Sequence, residues 1–200
     1  MRNAIHTPWK IWNTVHQVLS IPAATMLFLM NGIPIGRNWK MYGLPIIQKH
    51  RLSDIRIGEN LNLRSTVRSN PLGPNHPVMI CTWATGAILE IGDDFAMTGG
   101  VICAAEHIKI GNRVAVGANT TIVDTDFHPL DHERRRIHPQ EANTAPIMIE
   151  DDVFIGMNCL ILKGVVIGHG SVIGAGSVVT KNIPAGVVVA GNPAKIIRQL

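Results

Sequence analysis

Ile149-Glu150-Asp151-Asp152-Val153-Phe154-Ile155-Gly156-Met157-Asn158-Cys159-Leu160-Ile161-Leu162-Lys163-Gly164-Val165-Val166-Ile167-Gly168-His169-Gly170-Ser171-Val172-Ile173-Gly174-Ala175-Gly176-Ser177-Val178-Val179 sets an aliphatic residue at every sixth position without a gap. The six are Ile149, Ile155, Ile161, Ile167, Ile173 and Val179, and glycine follows three of them. The register continues through Ala185 and reappears upstream as Ile110-Gly111, Val116-Gly117 and Ile122, with earlier marks at Ile91-Gly92, Ile57-Gly58 and Ile35-Gly36. Four positions after the aliphatic the residue is usually small or compact: Val114, Thr120, Val153, Cys159, Val165, Ser171, Ser177.

A period of six is not helical, because 3.6 residues per turn would spread these aliphatics around a cylinder. It calls for a short strand and a turn, repeated. Glycine after the aliphatic suits a tight corner or a positive φ, and pairs such as Asn112-Arg113 and Asp151-Asp152 suit exposed turns. Stacked coils of this kind bury a continuous column of Ile, Val and Leu, with stability built from contacts between neighbouring repeats. The expectation is an all-β solenoid, a parallel β-helix, over residues 33–200, with a helical, amphipathic appendage over residues 1–32.

Composition agrees with repetitive β packing. The chain of 200 residues is 46% hydrophobic but only 4% aromatic. Its net charge of +4, from 18 basic and 14 acidic residues, fits solubility or an anionic ligand. Cys81, Cys103 and Cys159 are odd in number and lack CxxC spacing, so neither a disulfide framework nor a thiolate zinc site is indicated and a cytoplasmic setting is expected. Ile11 to Gly36 carries no charge, yet its strongly apolar part, Val18 to Met30, is short for a membrane span. Peripheral contact with the inner face of a membrane through residues 1–30 stays open. Two segments break the repeat: the Pro-rich residues 68–79, and residues 127–146, rich in His, Arg and Glu. Insertions into a regular solenoid are natural carriers of function.

The hexads of residues 155–160 and 173–178, Thr125-Asp126-Phe127-His128-Pro129-Leu130-Asp131, and Ala190-Gly191-Asn192-Pro193-Ala194-Lys195 together resemble the hexapeptide-repeat acetyltransferases. The maltose/galactoside O-acetyltransferases and the acetyltransferases of exopolysaccharide biosynthesis are similar. The resemblance implies a left-handed β-helix, a homotrimer with active sites between subunits, acetyl-CoA as cosubstrate and a sugar or polysaccharide precursor as acceptor. It implies His128 as the base that activates the acceptor hydroxyl. A neutral imidazole can take that proton as oxygen attacks a thioester, a contribution of roughly 10²–10⁴ in rate. Glu141, five residues before Pro146, is the candidate to orient His128, against the nearer Asp126, Asp131 and Glu133. The same resemblance places CoA along Gly156, Met157, Ala175, Thr180, Lys181, Lys195 and Arg198, where small residues admit the pantetheine and cations meet phosphates. Met157 stands where the galactoside enzymes have a hydroxyl residue, so the oxyanion donor falls to a backbone amide. Met97-Thr98-Gly99-Gly100 replaces their Asn-rich acceptor segment, which argues against a simple galactoside or maltose.

Two other classes compete. His128, His132 and His138 with Asp126, Asp131 and Glu133 resemble a zinc site of the carbonic-anhydrase kind, although Pro129 interrupts a common helical face. A noncatalytic trimeric scaffold is the third reading. Nucleic acid is not expected, since Arg134-Arg135-Arg136 has no interleaved aromatics, and no metal is expected under the acyltransferase reading.

Overall fold

The computed structural model describes residues 6–200; the first five residues of the expected 1–32 appendage lie outside them. A helix, α1 (Trp9–Met30), is followed by strands that coil into three flat parallel sheets. The first sheet runs from Lys40–Tyr42 through Asn62–Arg64, Ala96–Thr98, Ala115–Val116, Phe154–Ile155 and Val172–Ile173 to Val187–Ala190, and Lys195–Gln199 closes it antiparallel. The second stacks Ile46–Lys49, Met79–Thr82, Val101–Ala104, Thr121–Val123, Leu160–Ile161 and Val178–Val179. The third stacks Asp54–Ile57, Ile88–Ile91, His107–Ile110, Ile147–Ile149 and Val166–Ile167. The chain visits first, second and third in turn, and the coil is a left-handed parallel β-helix.

Three hexads make one coil. Ile155 therefore lies beside Ile173 in the first sheet, Ile161 beside Val179 in the second and Ile149 beside Ile167 in the third. All six are buried, as are the second inward residues Val114, Thr120, Val153, Cys159, Val165, Ser171 and Ser177. The inward hydroxyl of Thr120 is satisfied on both sides, donating to the Gly156 carbonyl at 2.8 Å and accepting from the Cys159 amide at 3.1 Å.

The register fails at both ends. Ile35 is exposed and Ile33 enters the core instead. Ala185 is exposed, while Ile183 bridges to Ile167. Here the Asn182 side-chain oxygen accepts the Val166 amide at 2.8 Å, standing in for a main-chain carbonyl and letting the last coil run short. The glycines that follow the aliphatics also do something other than bend the chain to positive φ. That conformation falls two residues later, at Asn158 (φ 55°) and Gly176 (φ 72°). A Cβ on Gly156 would instead stand 2.6 Å from the Ala175 nitrogen, so the requirement there is close stacking of backbones.

The N-terminal mouth of the coil is closed by α1. Ala24 and Phe28 are buried in the same core as the coil, and the Phe28 ring meets Trp39 edge-on at 5.0 Å. This is the capping unit that an open stack of repeats requires.

Candidate active site

The second insertion leaves the corner between the second and third sheets. Its base is fixed by Asp124, a fully buried carboxylate whose oxygens accept the Ala105 and Glu106 amides at 2.6 and 2.9 Å. Burial pushes its carboxyl above the usual range, against the opposing pull of those amides. Lys163, on the next coil, grips Asp126 at 2.7 Å. Phe127 then takes a left-handed φ of 61°, a conformation that strains a bulky residue, and its amide is met by the Thr125 hydroxyl at 3.0 Å. That bend turns the Phe127 ring against Trp83, edge to face at 5.9 Å, and presents His128 beside it.

His128 Nδ1 lies 2.8 Å from the Pro139 carbonyl oxygen. A carbonyl can only accept, so Nδ1 carries the proton and, in the neutral ring, Nε2 holds the free lone pair. The imidazole borders a cleft of about 410 Å³ walled by Trp83, Ala105, Thr125, Phe127 and Pro139. The orienting group is therefore main chain. Glu141 belongs to the same loop but accepts from Arg134 at 3.1 Å and lies 3.7 Å from His138 Nδ1. In this chain it braces the loop rather than the imidazole.

The loop holds its shape through residues whose roles were not apparent from the sequence. Asp131 caps the short helix α2 (His132–Ile137), accepting the Arg134 amide at 2.8 Å. Arg135 donates to the carbonyls of Pro129 and Leu130, both at 3.0 Å. Two of the three consecutive arginines thus staple the loop. The histidines do not converge: His132 sits 3.9 Å from Asp131, His138 faces Glu141, and Asp126 is held by Lys163. Among the described residues no group of three His, Cys, Asp or Glu side chains is arranged to hold a metal.

The expected CoA residues fall into three places. Gly156, Met157 and Ala175 form one stack at the corner between the first and second sheets, with Gly156 buried, Met157 half-buried and Ala175 exposed. Thr180 and Lys181 are exposed at the other edge of the second sheet, the edge from which the His128 loop springs. Lys195 and Arg198 are exposed on the last strand, folded back beside Ala190 and Val188. Within one chain, His128 and the Gly156–Ala175 stack flank opposite edges of the same sheet.

The family model described as the hexapeptide repeat of succinyl-transferase matches residues 146–181. A Schizosaccharomyces pombe protein named as a candidate acetyltransferase is 48% identical over 93 residues, which cover 46% of this chain and 44% of its own. The 2,3,4,5-tetrahydropyridine-2,6-dicarboxylate N-acetyltransferase of Staphylococcus aureus strain JH9 is 44% identical over 89 residues, 44% of this chain and 32% of its own. The chain thus spans less than half the length of either relative. The solved structure of AntD, an N-acyltransferase from Bacillus cereus, superposes with a TM-score of 0.54 at 14% identity over 82% of each chain, a likeness of fold.

Proposed function

We propose that this chain, built of hexapeptide repeats, is an acyl-CoA-dependent O-acetyltransferase that acetylates a hydroxyl of a sugar or polysaccharide precursor. The observation that carries the reading is the His128 tautomer: Nδ1–H is committed to the Pro139 carbonyl, leaving Nε2 as an acceptor at an aromatic-walled cleft. The local likeness to two proteins named for acetyltransferase chemistry supports it.

In this reading the acceptor hydroxyl gives its proton to Nε2 as its oxygen attacks the thioester carbonyl. A backbone amide at the Gly156–Met157 corner receives the developing oxyanion, since Met157 offers no hydroxyl. Collapse breaks the carbon–sulfur bond, and the imidazolium returns its proton to the departing thiolate, giving ester and free CoA. No covalent enzyme intermediate is needed. The pantetheine lies along Gly156, Met157 and Ala175 with Lys195 and Arg198 of the same chain at the nucleotide end, and Thr180 and Lys181, which share the His128 edge, come to it from the neighbouring copy.

Because His128 and the Gly156 stack flank opposite edges of one sheet, a complete site draws them from neighbouring copies, which favours the homotrimer. A peripheral membrane contact through residues 1–30 belongs to the same reading, since α1 exposes Trp9, Trp12, Leu19 and Met30. The test is incubation with acetyl-CoA and a panel of sugars and nucleotide sugars, read by mass spectrometry. The reading expects an acetyl ester on at least one hydroxyl acceptor; acetylation confined to amines, or none with any acceptor, would refute it.

A further inference from the structure

Two of the three stretches outside the hexad pattern, α1 and the first insertion, meet in the fold. The half-buried residues Asn13, Gln17 and Ser20 mark the side of α1 that touches the coil, and the Ser20 hydroxyl oxygen accepts the Gly43 amide at 3.1 Å. Trp9, Trp12, Val15, Leu19, Met26 and Met30 are exposed. A surface helix of a globular protein turns its apolar stripe to the core; here only Ala24, Leu27 and Phe28 among the apolar residues of α1 turn inward.

Between the start of α1 and residues 67–73 runs a groove of about 970 Å³. Trp9, Trp12 and Tyr42 supply aromatic wall, Lys10, Arg64 and Arg68 supply positive charge, and no acidic residue lines it. Arg64 is fixed in place, its guanidinium 4.3 Å over the Tyr42 ring and bonded to the Ser69 carbonyl. In sequence, residues 1–53 hold six basic residues and no Asp or Glu, and among the basic ones Arg37 is paired with Glu59 at 2.7 Å.

We propose that this groove receives the phosphate headgroup of an acidic phospholipid while α1 lies flat in the bilayer interface. Trp9 and Trp12 line the groove and also belong to the exposed apolar face, so one surface joins cationic and apolar contacts at the depth where headgroups give way to acyl chains. No helix of the described residues is long and apolar enough to cross a membrane, so α1 docks without spanning. The headgroup site rests on the peripheral contact through α1 and is independent of the acyl-transfer chemistry.

The test is co-sedimentation of the full chain with phosphatidylcholine vesicles and with vesicles containing about a third phosphatidylglycerol, at low and high salt. Binding to the anionic vesicles should be about 10-fold stronger, and Lys10→Ala/Arg68→Ala should remove that preference while circular dichroism stays unchanged. Trp9→Ser/Trp12→Ser should weaken binding to both vesicles. Equal binding to both by the unaltered chain would overturn the headgroup site and leave the peripheral contact standing. No binding to either would overturn both, and protection of Trp9 and Trp12 that grows with protein concentration would assign the face to a second copy of this chain.

Discussion

The His128 ring is held by a single main-chain oxygen, the Pro139 carbonyl, at 2.8 Å. Since the Pro139 carbonyl orients the ring and Glu141 does not touch it, Glu141→Gln is expected to lower turnover less than tenfold, by loosening Arg134 and His138. Steady-state kinetics decides; a loss as deep as that of His128→Ala would show the carboxylate reaching the imidazole in the working enzyme. Asp124 anchors the other end of the loop. Asp124→Asn replaces one of two acceptors by an amide facing a donor, at a cost of about 1–3 kcal/mol in urea unfolding. Burial raises the Asp124 carboxyl, so the folded chain holds that proton more readily than the unfolded one. Its contribution is therefore greatest below the ordinary carboxylate range and declines as pH rises through the raised value. The gap in stability between wild type and Asp124→Asn should narrow over that rise; a widening gap would mean the amides outweigh burial.

At the scale of elements, the corners separate two uses of glycine. Gly176→Ala meets open space but keeps a φ of 72°, a strain of about 1–2 kcal/mol. Gly156→Ala has an ordinary φ but drives a Cβ to 2.6 Å from the Ala175 nitrogen, backbone that cannot step aside. It should lower the melting temperature more than Gly176→Ala does and weaken CoA binding as well; the reverse order would contradict the stacking argument. The hexads made the inward residues legible from Ile149 to Val179, because a strict period fixes which side chains share a face. They did not reveal why glycine follows the aliphatic, since close approach and positive φ leave the same residue in the sequence. They also missed the short last coil, where the Asn182 side chain replaces a main-chain partner, and the outward apolar face of α1, because periodicity identifies a face without saying what it packs against.

Across the molecule, the proposed reading turns on the placement of His128 and the Gly156–Ala175 stack at opposite edges of one sheet. The motif drew attention to His128 but not to Pro139, which holds its ring, because a backbone carbonyl carries no residue signature. Nor were Arg134 and Arg135, whose run reads as a charged surface until the loop closes around it. If neighbouring copies complete each site, mixed assemblies of His128→Ala and Ala175→Trp chains, the second blocking the stack at an exposed position and each inactive alone, should recover roughly a quarter of wild-type activity after co-refolding. No recovery from assemblies shown to be mixed would place both halves within one chain. Acyl transfer with His128 as base can be checked by following acetyl-CoA binding and acceptor-dependent thiol release side by side on wild type and His128→Ala. Near-equal acetyl-CoA affinity and a turnover lower by about 10²–10⁴ in the variant are expected. Equal turnover in the two proteins would contradict it.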